Sequence, residues 1–249
     1  MIKIGIIGGS GLESLDLFTS KKELDISTKY GKPSSSLFSG QLSGKEIYII
    51  SRHGRNHATP PTQVNNRANI TALKELGCTH ILATTACGSL REEIKRGDLV
   101  IPDQFIDFTR HRIVTFHDVF EHENLAHTPM SDPFDTNLCS LIHKNADLLG
   151  YSNHPKGTVI TIEGPRFSSR AESNMFRLWG ADIINMSTAP ETILANEAGI
   201  PYAAIAVSTD YDCWKKDEKP VTWEEVLHIF KQNVEKVTKL IVQVIQQIQ

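Results

Sequence analysis

Four stretches of the chain carry residue types that can do chemistry, and each follows an apolar run. Gly8-Gly9-Ser10-Gly11 comes directly after Ile2–Ile7. Glycines let backbone N–H groups approach an anion, and Ser10 adds a hydroxyl donor. A tight turn is the plainer alternative. Counting G-x-G-x-x-G from Gly9 puts Ser14 at the last glycine, so this is not the dinucleotide fingerprint, and no Walker A motif occurs. Arg52-His53-Gly54-Arg55 follows Glu46–Ser51. It offers a planar guanidinium fork suited to oxyanions, or else a surface basic cluster. Thr84-Thr85-Ala86-Cys87-Gly88-Ser89 begins as the apolar run from His80 ends, and reads as an anion or sugar nest or as a polar turn. Ser208-Thr209-Asp210-Tyr211-Asp212-Cys213-Trp214 leaves the apolar run Tyr202–Val207. Its two carboxylates, close together and partly desolvated, are expected to hold at least one pKa above the ordinary aspartate value. A carboxyl kept protonated near neutrality suits general-acid catalysis. Capping of the next segment is the alternative, and metal binding is the weaker one because no nearby His or Glu has ligand spacing.

These stretches need a scaffold, and the apolar pattern supplies one. Short apolar runs predict strands at Ile2–Ile7, Glu46–Ser51, His80–Thr84, Asp98–Ile101, Gly157–Ile162, Ile183–Met186 and Tyr202–Val207. Helical spacing predicts Pro61–Leu76, Pro133–Leu149, Ser169–Trp179, Pro190–Ala198 and a C-terminal helix over Thr222–Ile248. Pro61 and Pro190 suit a first turn. Gly77, Gly150, Gly180 and Gly199 suit helix ends. Strands alternating with helices argue for an α/β sheet with helices on both faces. Strand carboxyl ends in such a sheet open on a ligand crevice. The stretch Phe108–Phe134 lacks periodicity and is expected to be a binding loop.

Composition narrows the class. The chain has 249 residues, a length compatible with a single domain over 1–249, and a formal net charge of −3. With Lys and Arg scattered, neither a nucleic-acid footprint nor a membrane-surface patch is expected. Cys78, Cys87, Cys139 and Cys213 form no C-x-x-C pair, which fits a reducing cytoplasmic setting. Cys87 reads as a small buried thiol, since no partner base is evident. No stretch has the length of a membrane span, and Met1–Ile7 lacks the pattern of a signal peptide.

Taken in order, the motifs resemble the methylthioadenosine phosphorylase branch of the trimeric purine nucleoside phosphorylase family. The resemblance runs through Gly5–Leu12, Arg52–Arg55, Thr84 to Glu92, Asp103–Asp107, Glu163–Glu172, Trp179–Asp182, Asn185-Met186 and Ser208–Trp214. It implies a single domain with a mixed central β-sheet flanked by helices. It also implies a pentosyltransferase that cleaves the purine–ribose bond of 5′-methylthioadenosine with inorganic phosphate, in purine and methionine salvage. Methylthioinosine or ordinary purine nucleosides are the alternative substrates, and a non-catalytic nucleoside sensor the alternative class.

Residue roles follow from the same resemblance. Ser10, Arg52, His53, Thr85, Ala86 and Ser187 would surround phosphate, with Ser187 standing where the family commonly has Thr. Phe167, Ser168, Met186, Asp210 and Asp212 would hold the nucleoside, with Asp210 as the acid. His127 would reach across a subunit boundary to a neighbour's 5′ pocket, completed by Trp223, Val226 and Leu227. Trp223 replaces a small aliphatic residue common in the family. The resemblance further implies no metal or organic cofactor and a cytoplasmic homotrimer, with a dimer of trimers as the alternative assembly.

Overall fold

In the computed structural model, which describes residues 1–8, 19–120, 125–218 and 222–249, eleven strands join in one mixed sheet. They are β1 Lys3–Gly8, β2 Thr19–Leu24, β3 Leu37–Leu42, β4 Lys45–Ser51, β5 His80–Ser89 and β6 Leu99–Val100. The later ones are β7 Gln104–Phe108, β8 Asn153–His154, β9 Thr158–Ile162, β10 Ile183–Asn185 and β11 Tyr202–Asp210. The main path runs β2-β3-β4-β1-β5-β10-β9-β7. β11 lies parallel along β5, and β6 and β8 extend from β11. All nine residues of β11 are buried, as expected of a strand covered on both faces.

The neighbours of β5 change along its length. Residues His80 to Ala83 pair in parallel with Ile4 to Ile7 of β1, whereas Gly88 and Ser89 pair antiparallel with β10. Between them, among the described residues, Thr84 to Cys87 keep only β11 as a strand partner. The described part of β1 stops short of this stretch and β10 has not begun, so among the described residues the sheet parts.

The helices are α1 Asn66–Glu75, α2 Thr136–Leu148, α3 Arg170–Leu178, α4 Thr188–Glu197 and α5 Trp223–Gln247. α1 packs on α4, and α2 packs on α5. Starts are set by side-chain caps: Asn65, Asp135, Ser169 and Thr222 each accept a backbone N–H three residues on. Stops are set by Gly77, Gly150, Gly180 and Gly199, all at positive φ just beyond the last turn. α5 turns Phe230, Val237, Leu240, Ile241, Val244 and Ile245 into the core.

Several expected boundaries move. β5 runs on to Ser89, so Thr84–Ser89 is strand rather than a turn at a strand end. Its pairing with β11 continues to Gly88 and holds it extended. Pro61–Gln63 forms a separate 3-10 turn, and α1 begins only at Asn66. α4 begins at Thr188, which leaves Pro190 inside its first turn, where a missing N–H costs nothing. β2, β3, β7 and β8 are strands that the apolar pattern did not mark. Among the described residues, the stretch 109–134 contains no helix or strand.

Candidate active site

Where the sheet parts, a cavity of about 380 Å³ opens. Thr85, Ala86, Cys87 and Gly88 of β5 form its floor, and the ends of β10 and β11, the loop after β4, and the start of α5 form its walls.

One end is rich in donors. Arg52 is only 2% exposed. Its Nε and Nη2 grip both carboxylate oxygens of the fully buried Glu191, the latter at 2.9 Å, and Nη1 donates to the carbonyl of Thr84 at 2.8 Å. That carbonyl lies just past the β1 pairing. Burial works against the Arg52 charge, but Glu191 outweighs it and raises the pKa further. Next to it, His53 Nδ1 meets the carbonyl of Thr59 at 2.9 Å and must therefore donate, which leaves Nε2 as an acceptor. Burial, with Arg52 nearby, pushes this imidazole down to about 3, so it is neutral. Thr85 Oγ1 and Ser187 Oγ lie 3.2 Å apart across the gap between β5 and α4.

Asn185 organises these hydroxyls. Its Nδ2 donates to Thr188 Oγ1 at 2.5 Å and to Thr85 Oγ1 at 3.4 Å. Its Oδ1 accepts from the backbone of Ser187 and Thr188 and from Thr161 Oγ1. The start of α4 is thus capped from β10, and Ser187 Oγ makes no cap bond of its own.

The other end carries the acids. Asp210 is 8% and Asp212 5% exposed. Asp210 Oδ2 accepts from Thr209 Oγ1 at 2.8 Å, and Oδ1 accepts from the backbone N–H of Asp212 at 2.7 Å. Both bonds favour the carboxylate, yet burial wins and lifts Asp210 to about 6. Burial also raises Asp212, against neighbouring Ser173, Ser168 and Cys213. The pair is therefore not a surface cap. Gly88 makes room for it: a Cβ there would lie 2.8 Å from Asp210 Oδ1. Phe167, still 39% exposed, and Met186 line the same cavity.

A third wall is aromatic and apolar. The rings of His53 and His57 stack at 4.4 Å, and those of His57 and Trp223 at 4.9 Å. Val226 and Leu227 follow Trp223 on α5 and also line the cavity.

The expected residues thus converge with three exceptions. Ser168 lines an adjoining cleft of about 190 Å³ instead, just before the Ser169 cap that starts α3 and beside Asp212. His127 is exposed, packs edge-on against Phe120 at 5.3 Å, and does not line its own chain's cavity. Ser10 lies outside the described residues. Cys87, read as a buried thiol, is one, and burial pushes its pKa well up. His57, Thr209, Asn185 and Phe230 line the cavity without having been singled out for it. Among the described residues, no cluster of three His, Cys, Asp or Glu could hold a metal, and no helix is long and apolar enough to cross a membrane.

The whole chain is similar to known proteins. The S-methyl-5′-thioadenosine phosphorylase of Xenopus tropicalis is 53% identical over 250 residues, covering 99% of this chain and 89% of that protein. The enzyme of the same name from Danio rerio is 51% identical over 249 residues, with the same shares covered. Among solved structures, methylthioadenosine phosphorylase from Schistosoma mansoni in complex with adenine superposes with a TM-score of 0.92 at 39% identity, covering 98% of this chain and 91% of that one. A point mutant of adenosine/methylthioadenosine phosphorylase from that organism, in complex with methylthioadenosine, gives a TM-score of 0.91 at 38% identity, with the same shares covered. The family model described as the phosphorylase superfamily matches residues 3–246, and the chain belongs to that superfamily.

Proposed function

We propose that the protein cleaves 5′-methylthioadenosine with inorganic phosphate, releasing adenine and 5-methylthioribose 1-phosphate. The observation that carries this reading is one cavity with oxyanion donors at one end and, at the other, a buried carboxyl whose pKa burial lifts to about 6. Phosphate lies against Arg52, Thr85, the Ala86 backbone and Ser187. His53 Nε2 accepts a phosphate hydroxyl, and Ser10 completes the cradle. The purine lies on Phe167 and the ribose on Met186, with the 5′-methylthio group toward Trp223, Val226 and Leu227.

As the glycosidic bond lengthens, positive charge grows on the ribose ring. The phosphate, held against the opposite face, stabilises that charge and then bonds to C1′. The bonding electrons leave on the base, and Asp210 delivers its proton to N7. Asp212 accepts from the C6 amino group of adenine. A 6-oxopurine would set acceptor against acceptor there, which disfavours inosine-type substrates. The reaction as written draws only on the protein's own groups and phosphate.

The assembly proposed is a homotrimer in the cytoplasm, with His127 completing a neighbour's 5′ pocket. Ser168 takes up its place beside the base once a purine fills the site. The test is release of free base from methylthioadenosine, adenosine, methylthioinosine and inosine, each with and without phosphate. Strictly phosphate-dependent release, fastest with methylthioadenosine, is expected. Release that persists without phosphate would make the enzyme a hydrolase, and no release with any of the four would remove the assignment.

A further inference from the structure

Arg52 is held from three directions before any ligand arrives. Of its five N–H donors, Nε and one on Nη2 go to Glu191, and one on Nη1 goes to Thr84. These contacts come from α4 and β5, so they fix the plane of the guanidinium and not only its position. One N–H on each terminal nitrogen is left without a partner among the described residues, and Arg52 lines the cavity. Glu191 is held in turn: the hydroxyl of Tyr202, at the first position of β11, donates to its Oε2 at 2.9 Å. Arg52, Glu191 and Tyr202 are all 2% exposed or less.

A buried ion pair of this kind is poor evidence for stability, because desolvating both charges offsets their attraction. Its geometry has another use. A planar fork whose two remaining donors point in a fixed direction binds a tetrahedral oxyanion without first losing side-chain freedom. The Glu191 charge also cancels that of Arg52, and His53 adds none. The anion is therefore held by directed hydrogen bonds rather than by net charge, which suits a site that must also release a sugar phosphate.

We propose that Glu191 and Tyr202 are positioning residues for phosphate: Tyr202 orients Glu191, and Glu191 sets the plane of Arg52. The proposal rests on the reading of Arg52 as a phosphate ligand. Neither residue needs to touch substrate.

The test is steady-state kinetics on Tyr202→Phe, Glu191→Gln, Arg52→Lys and the Tyr202→Phe/Arg52→Lys double variant, with KM measured separately for phosphate and for nucleoside. Tyr202→Phe keeps the ring and removes one hydrogen bond, so phosphate KM should rise about fivefold. Glu191→Gln breaks the charged fork and should raise it about tenfold or more. Nucleoside KM should stay within about twofold in both, whereas a general loosening of the fold would move both constants together. Once Arg52 is Lys, adding Tyr202→Phe should change nothing further, since the plane it sets is gone. Should Glu191→Gln not fold, Tyr202→Phe and the double variant decide the matter alone. An unchanged phosphate KM in Tyr202→Phe, an equal rise in both constants, or full additivity with Arg52→Lys would overturn the proposal. If instead Arg52→Lys itself leaves phosphate KM unchanged, Arg52 is not a ligand and the phosphate reading falls as well.

Discussion

Replacing Asp210 by Asn is expected to make the protein more stable and less active at once. Burial moves this carboxyl from an ordinary 3.8 to about 6. At about 1.4 kcal/mol per unit, ionising it inside the fold costs up to about 3 kcal/mol more than in the unfolded chain. Between about pH 4 and about pH 6 the folded protein keeps a proton that the unfolded chain has released, so stability falls as pH rises through that window and stays lower above it. Asn carries no charge at any pH. It also fits the existing contacts: its Oδ1 can accept from the Asp212 backbone, and its Nδ2 can donate to Thr209 Oγ1, whose own proton has the Cys87 carbonyl at 3.2 Å. Urea unfolding near pH 8 should therefore show a gain of about 2–3 kcal/mol for the variant, shrinking to about zero near pH 4. On the same preparation kcat should fall by about 10²–10⁴, because an amide has no proton to give N7. A variant that gains no more stability near pH 8 than near pH 4 would refute the claim that burial raises the Asp210 pKa. A variant with unchanged kcat would refute its role as the acid.

Three further outcomes are expected. Gly88→Ala sets a Cβ 2.8 Å from Asp210 Oδ1 and 3.0 Å from Ile184 Cγ2; kcat should drop at least about tenfold, and unfolding should show a loss of about 1–3 kcal/mol. Trp223→Val removes the outer ring of the stack, so relative kcat/KM should rise for longer 5′-alkylthio substrates over methylthioadenosine, read by competition between the two. His53 in the free enzyme should remain neutral with its proton on Nδ1 from pH 5 to 8, because burial holds it down to about 3; nitrogen NMR of the imidazole reads this directly.

Some of this was legible in the residues, for reasons that can be named. Helix ends followed from glycines, local signals that act within one turn, as at Gly77 and Gly180. β1 and β11 were legible because they are buried over nearly their whole length and carry continuous apolar stretches, Ile4–Ile7 and Tyr202–Val207. β2 was not: Thr19–Leu24 lies at the sheet edge with Lys21, Lys22 and Glu23 exposed, and its strand character comes from pairing with β3 rather than from burial. The second half of β5 looked like a turn because Thr84 to Ser89 is small and polar; those residues are buried by β11 alongside them, not by their own hydrophobicity. In the site, Asp210-Tyr211-Asp212 announced itself by leaving an apolar strand. Glu191, Tyr202 and His57 did not, because each gains its meaning from residues far away in sequence, such as Arg52 for Glu191.

The run of β5 past the end of β1 also sets a length scale. Thr85 stands among the oxyanion donors, and Gly88 lies against Asp210. The three residue-to-residue steps of extended chain from Thr85 to Gly88 span about 10 Å. With the proposed roles, the strand acts as a ruler, graduated by the peptide repeat, on which nucleophile and leaving group are measured off from opposite ends. Inserting one residue between Thr85 and Gly88 would lengthen the ruler by about 3.3 Å and turn the later side chains to the other face of the sheet. A site graduated in this way tolerates exchange of the groups at its marks far better than any change in the number of residues between them.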